Sequence, residues 1–429
     1  MWLMNDSGAL LTDYYEPAMA QVYLRRELTA EATFEVTIRR LPENWGFFVM
    51  AGLEELGEFL RQWRFSDQDI AYLRSLGSFD EGFLRHLAGL EADVRVRAMP
   101  EGTAFFAGEP VVEVAGPVIT AQLLESAVLN ILGYSILAAT MAARCRLAAG
   151  GRLVADFGLR RCQGPISSIR AARGAQIAGM SLTSNVLAAK LLGMTPTGTM
   201  AHSFVEIHED EERAFWDFAE VHGRQAVLLV DTYDSMEGIE KAVRVARRMR
   251  DIHGVRIKGI RLDSGDLAEL SRLARRRFDE EGVAFMKIFA SGDLDEYRIA
   301  DLVTAGAPID GFGVGTRLAV CAAAPAAEIV YKISTYDGRP LAKHSPGKAT
   351  LPGRKSVFRA GRDVFGGDMV VPLQRGDGDL LRAFDSPESM EIIKGRLDKQ
   401  LSRLPRAVQA VRGPDGYPVA FRGFGGSGG

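Results

Sequence analysis

Residues 255–266, Val255-Arg256-Ile257-Lys258-Gly259-Ile260-Arg261-Leu262-Asp263-Ser264-Gly265-Asp266, decide how this chain folds. A β-branched, apolar run ends at Leu262 and gives way at once to Asp, Ser and Gly, the residues of turns and helix caps. From Leu267 the apolar spacing becomes helical and stays so to Phe278. A strand, a polar turn and a helix in that order make one βα unit.

The same unit recurs on both sides. Strand-like runs occupy 153–157, 197–200, 226–230, 284–289 and 311–314, with helical patterns at 167–176, 209–221, 236–250 and 293–304. The gap from 157 to 200 is long enough for one more unit, turning at 182–185. About seven units in a row predict an α/β fold built on an irregular βα barrel over residues 118–329. Polar clusters follow each strand: 156–161, 183–185, 202–203, 231–234, 263–266, 291–293 and 313–316. In a barrel these carboxyl ends converge on one face and build the site. An Asp or Ser after a strand is also an ordinary helix N-cap, but seven clusters in register exceed what capping requires.

The flanks have a different rhythm. Residues 1–117 read as mixed α+β, with helices at 12–24, 53–63 and 67–76 and strands at 32–38, 94–98 and 111–114. Residues 330–429 hold short strands and a helix at 386–401, and are expected to pack with the N-terminal domain in one mixed α+β domain. The closing Gly423-Phe424-Gly425-Gly426-Ser427-Gly428-Gly429 reads as flexible.

Composition narrows the function. The chain has 429 residues, 47% hydrophobic and 25% charged, with 52 basic against 55 acidic side chains. That balance gives no basic surface for nucleic acid and no polybasic membrane anchor. Residues 126–145 carry no charge until Arg144, yet Asn130, Tyr134, Ser135 and Thr140 interrupt them, so they read as a buried core helix and not as a membrane span. Cys145, Cys162 and Cys321 are far apart, which argues against a disulfide framework or a zinc knuckle. The start of the chain lacks a basic stretch followed by an apolar one, so a cytoplasmic location is expected.

Several residues carry candidate chemistry. His202 stands among small residues in Gly198-Thr199-Met200-Ala201-His202-Ser203. Gly313, Gly315 and Thr316 suit a phosphate, with backbone N–H groups and a hydroxyl near a helix start. Asp231 and Asp263 are the carboxylates expected to act, whereas Asp266 suits a cap; such charge calls for a cation, and Mg²⁺ is the candidate. Phe157 beside Arg160 and Arg161 suits a planar anionic ring, by stacking and by bidentate hydrogen bonds. A phosphorylated sugar and an aromatic acid together fit this face.

The chain resembles the nicotinate phosphoribosyltransferase family. The motifs are Thr12-Asp13-Tyr14-Tyr15-Glu16, Ala51-Gly52-Leu53-Glu54-Glu55, Phe157-Gly158-Leu159-Arg160-Arg161-Cys162-Gln163-Gly164, Thr183-Ser184-Asn185-Val186, the His202 segment, Asp231-Thr232-Tyr233-Asp234 and Arg261-Leu262-Asp263-Ser264-Gly265-Asp266. The resemblance implies a type II phosphoribosyltransferase-like barrel. It also implies a reaction of nicotinate with 5-phosphoribosyl 1-pyrophosphate, coupled to ATP hydrolysis, for NAD salvage. A homodimer with shared sites is implied too, with Tyr15 of one subunit and Phe157 of the other sandwiching the pyridine ring and Arg160 beside it. Arg261 and Asp263 would serve the phosphoribosyl donor, residues 313–316 its 5-phosphate, and His202 would take a phosphoryl group from ATP. Nicotinamide-using relatives have an Asp where this chain has Ser184, so Ser184 is expected to select the acid. Two features depart from the family: Leu182 stands where smaller residues are common, and the cysteine-rich tail of some relatives is missing, which argues against zinc. The rival readings are a nicotinamide-using or other phosphoribosyltransferase, a Schiff-base barrel enzyme acting through Lys258 or Lys287, and a non-catalytic metabolite-binding protein.

Overall fold

Seven short parallel strands form the sheet that positions the site: β1 (Leu153–Asp156), β2 (Leu182–Thr183), β3 (Thr195–Pro196), β4 (Val227–Leu229), β5 (Gly259–Leu262), β6 (Lys287–Ala290) and β7 (Gly311–Val314). Their order across the sheet is β3-β2-β1-β7-β6-β5-β4. This computed structural model describes residues 8–345, 350–361, 363–374 and 377–424. The opening residues 1–7, which were read as lacking a leader, and residues 425–429 of the glycine-rich tail lie outside that set.

The sheet is a curled half-barrel and does not close. Among the described residues no backbone ladder joins its edge strands β3 and β4. The cause lies in β3. Pro196 has no N–H to donate, which confines such a strand to an edge. The sequence pattern had put this strand at 197–200; it lies two residues earlier, and only the Thr197 N–H, donating to Thr183 O at 2.9 Å, continues the pairing. The expected seventh unit at 182–185 is present as β2. Inside the sheet Leu228, Ile260, Ile288 and Phe312 are buried, and each such side chain contributes about 1.5–3 kcal/mol relative to exposure.

Helices follow the strands where the spacing places them, at Pro165–Ile177, Glu211–His222, Ser235–His253, Leu267–Glu280 and Glu296–Thr304. Asp234 and Asp266 cap two of them, each accepting from the N–H groups two and three residues on. The helix Glu125–Ala148 is long and apolar enough to cross a bilayer, yet 78% of its apolar window is buried. Arg144, its late charge, is buried too and meets Glu296 at 3.2 Å.

The chain divides into two compact units, Ala138–Pro325 and Met1–Leu137 with Ala326–Gly429. In the second unit a six-stranded sheet mixes both ends of the chain. Across it the strands run Arg339–Pro340, Ile329–Tyr336, Glu31–Ile38, Pro110–Pro117, Arg95–Ala98 and Arg382–Ala383. The helix Glu81–Ala88, absent from the sequence reading, also belongs here; Asp80 caps it by accepting from Phe83 N.

Candidate active site

Two polar clusters stand at the carboxyl ends of the seven strands. The first gathers around Arg261 at the end of β5. Its Nε donates to Ser291 Oγ and its Nη1 to Thr199 Oγ1, each at 2.9 Å. Its Nη2 lies 3.1 Å from Asp263 Oδ1, and Ser291 Oγ donates to the same oxygen. Burial works to raise the Asp263 carboxyl, but the Ser291 hydroxyl and the Arg261 guanidinium outweigh it and hold the group below the ordinary carboxylate range. Asp263 is therefore a carboxylate at neutral pH.

Asp231 supports that arrangement. Its Oδ2 accepts from Asp263 N at 3.1 Å and from Ser264 Oγ at 2.5 Å. Its Oδ1 is buried with no hydrogen-bond partner. His202 is partly buried, and its Nδ1 lies 3.2 Å from Thr232 Oγ1. The contacts Thr199–Arg261 and His202–Thr232 join the segment after β3 to β5 and to the loop after β4. Side chains thus close, at the carboxyl end, the ring that the backbone leaves open.

The second cluster surrounds Asp156 at the end of β1. Asp156 is buried; its Oδ1 accepts from Gly158 N at 2.8 Å and its Oδ2 from Thr183 Oγ1 at 2.7 Å. Burial pushes this carboxyl up, and the two hydrogen bonds only partly offset that. Phe157 follows, partly buried, and Arg160 lies exposed in the single turn Leu159–Arg161. Ser184 is partly exposed, with its N–H held by Asp156 O at 2.7 Å.

Gly313 packs closely against Phe157. A Cβ there would stand 2.5 Å from Cδ2 and Cε2 of Phe157. The missing side chain leaves room for the Phe157 ring. Gly315 and Thr316 lie just past β7, where Thr316 is exposed at the start of a four-residue helix. Tyr15 belongs to the other unit, at the first turn of the helix Tyr15–Arg25, and is 46% exposed. Partial burial and then the Glu125 carboxylate hold its phenol protonated.

The Schiff-base reading fails on position. Lys258 precedes β5, and Lys287 opens β6 with its Nζ 2.9 Å from Asp310 Oδ1. Both lie at amino ends of strands, on the face away from the clusters. Among the described residues no group of three His, Cys, Asp or Glu side chains is arranged to hold a metal unaided. Thr199, Thr232, Ser291 and Asp156 all fall within polar clusters or motifs read from the sequence, but none was singled out there as a site residue.

Two family models match the chain: the nicotinate phosphoribosyltransferase N-terminal domain over residues 10–133 and the nicotinate phosphoribosyltransferase family over residues 153–362. Nicotinate phosphoribosyltransferase pncB2 of Mycobacterium tuberculosis is 47% identical, over 98% of this chain and 93% of that protein. The nicotinate phosphoribosyltransferase of Bacillus subtilis is 42% identical over 83% of this chain and 74% of its own length. The crystal structure of human nicotinic acid phosphoribosyltransferase superposes with a TM-score of 0.81 at 29% identity, covering 96% of this chain and 97% of that one. On this likeness, and on motifs that fall at the strand ends just described, the chain belongs to the nicotinate phosphoribosyltransferase family of enzymes.

Proposed function

We propose that the chain joins nicotinate to 5-phosphoribosyl 1-pyrophosphate, releasing pyrophosphate and nicotinate mononucleotide for NAD salvage, and that His202 couples this to ATP hydrolysis as a phosphoryl acceptor. The observation that carries the reading is the first cluster: Arg261, Asp263 and Asp231 interlocked at the strand ends, with His202 beside them. The pyridine nitrogen attacks the anomeric carbon with its own lone pair as the bond to pyrophosphate breaks, and the electron pair leaves with pyrophosphate. No general base is needed. Positive charge develops on the ribose, and the Asp263 and Asp231 carboxylates favour it.

Arg261 binds the phosphoribosyl donor, and residues 313–316 bound the end of the site near its 5-phosphate. The orphaned Asp231 Oδ1 fits a Mg²⁺ ion, which takes few carboxylates and completes its shell with phosphate oxygens. Such an ion would supply positive charge to the departing pyrophosphate. Phe157 stacks on the pyridine ring, Arg160 binds its carboxylate and Ser184 selects the acid over the amide. Tyr15 completes the ring pocket from a second copy of the chain in a homodimer. At His202 the Thr232 hydroxyl engages Nδ1, which leaves Nε2 to take the γ-phosphoryl group.

The test supplies nicotinate or nicotinamide with the phosphoribosyl donor, with and without ATP, and measures mononucleotide. Nicotinate should be used, and faster with ATP. His202→Ala should lose ATP hydrolysis and keep slow, ATP-independent synthesis. ATP hydrolysis by that variant in step with product would refute the coupling role.

A further inference from the structure

The buried chain of hydrogen bonds that begins at Asp156 touches both segments that carry the proposed ring-binding residues of this unit, the loop with Phe157 and Arg160 and the turn with Ser184. Asp156 Oδ1 holds Gly158 N, next to Phe157. Its backbone carbonyl holds Ser184 N, and its Oδ2 takes the Thr183 hydroxyl. Thr183 Oγ1 in turn accepts from Asn185 N at 3.0 Å, so its single proton is directed to Asp156. Asn185 Nδ2 donates to Ser168 Oγ at 3.1 Å, and Ser168 Oγ donates to Pro165 O at 2.7 Å in the first turn of the helix that follows the arginine loop. Asp156, Thr183, Asn185 and Ser168 are all buried.

All four side chains are buried and spend their polar groups on one another and on the backbone, and the chemistry proposed above does not explain that polarity. A buried carboxylate on a sheet end is costly unless its bonds do something. Here they fix two walls against each other: the loop carrying Phe157 and Arg160, and the turn carrying Ser184.

We propose that Asp156, acting through Thr183, is a positioning residue that sets the spacing of the ring-stacking and acid-selecting walls, and so governs affinity for the aromatic substrate without touching it. This rests on the assignment of Phe157, Arg160 and Ser184 to nicotinate. It separates two substrates that share one site. Loosening the walls weakens the hold on the ring, while the phosphoribosyl donor, held around Arg261, keeps its affinity.

The experiment uses the full-length protein and steady-state kinetics with both substrates varied. Thr183→Val keeps the side-chain volume but removes the hydroxyl, leaving Asp156 Oδ2 and Asn185 N without partners. KM for nicotinate should rise about 10-fold, with KM for the phosphoribosyl donor within about 2-fold of wild type. Thr183→Ser, which keeps the hydroxyl, should restore the wild-type value. Asp156→Asn should move the same KM in the same direction. If Thr183→Val is folded and both KM values stay put, or both shift together, the positioning role is wrong. If Thr183→Val and Asp156→Asn both lack a cooperative thermal transition, the network is a folding element and the proposal is also overturned. Failure of the wild-type protein to convert nicotinate would overturn the functional reading itself, a separate result.

Discussion

The two clusters at the strand ends are held together by opposite means. Around Arg261 the contacts run from side chain to side chain, and the partners stay reachable: Asp263 keeps 29% of its side chain exposed. Around Asp156 the carboxylate is sealed, and its bonds go to a backbone N–H and a hydroxyl that is itself committed. The first arrangement can trade its internal contacts for a phosphorylated, charged substrate. The second has nothing left to trade and acts as a frame. Substitutions in the first should therefore strike the phosphoribosyl donor, and substitutions in the second the ring.

The strongest way to break this contrast is at Gly292, which the first cluster cannot spare. Its φ is +91°, and a Cβ there would lie 1.8 Å from Asp263 O. Gly292→Ala combines left-handed backbone strain with a clash against backbone that no rotamer relieves. A stability loss of about 3 kcal/mol is expected, with kcat/KM for the phosphoribosyl donor down by about 100-fold as Asp263 shifts. Thermal denaturation and donor-varied kinetics measure the two effects. A near-wild-type kcat/KM would mean that the Asp263 backbone is not fixed by this contact.

Gly313 gives the matching test in the second cluster, with a smaller effect because the obstacle is a ring. Gly313→Ala places a methyl 2.5 Å from two carbons of Phe157, so the ring must swing away at a cost of about 1–3 kcal/mol. KM for nicotinate should rise about 10-fold, and KM for the donor by clearly less. Equal changes in both would erase the distinction between the clusters.

These two glycines show where sequence was readable and where it was not. Asp263 stood out because a β-branched run breaks at a polar turn, a local signal, whereas Arg261 came from the family resemblance. So did the carboxyl-end placement of the clusters, which follows from strand and helix alternation alone. Gly313 was noticed for a phosphate, and its contact with Phe157 stayed hidden, because Phe157 is brought there by the β1–β7 pairing and not by sequence proximity. Asp156 was visible but unremarkable, because a buried carboxylate and a helix cap look alike until the partners of each oxygen are known. The open edge at β3 was written in Pro196, but a two-residue strand has no periodicity to reveal it. Asp80 before Phe83, Leu84 and Leu87 was a usable helix signal that the pattern reading passed over.

Ser184 offers the mildest and sharpest test, because there the frame and the chemistry separate within one residue. Its backbone N–H belongs to the Asp156 network, while its side chain is partly exposed. Ser184→Asp should leave stability within about 0.5 kcal/mol of wild type, as surface changes away from packed features do. It adds a negative charge where the acid substrate is proposed to bind. Two carboxylates roughly 8 Å apart at an effective dielectric constant of about 20 repel by about 2 kcal/mol, and solvent trims that to about 10-fold in KM for nicotinate. Nicotinamide, with an amide to donate, should bind more tightly to the variant, so the preference ratio moves from both sides. Competition between the two substrates, read as the ratio of mononucleotides formed, measures it directly. An unchanged ratio would leave acid selection to Arg160, and the turn at 183–185 would then serve only as part of the frame.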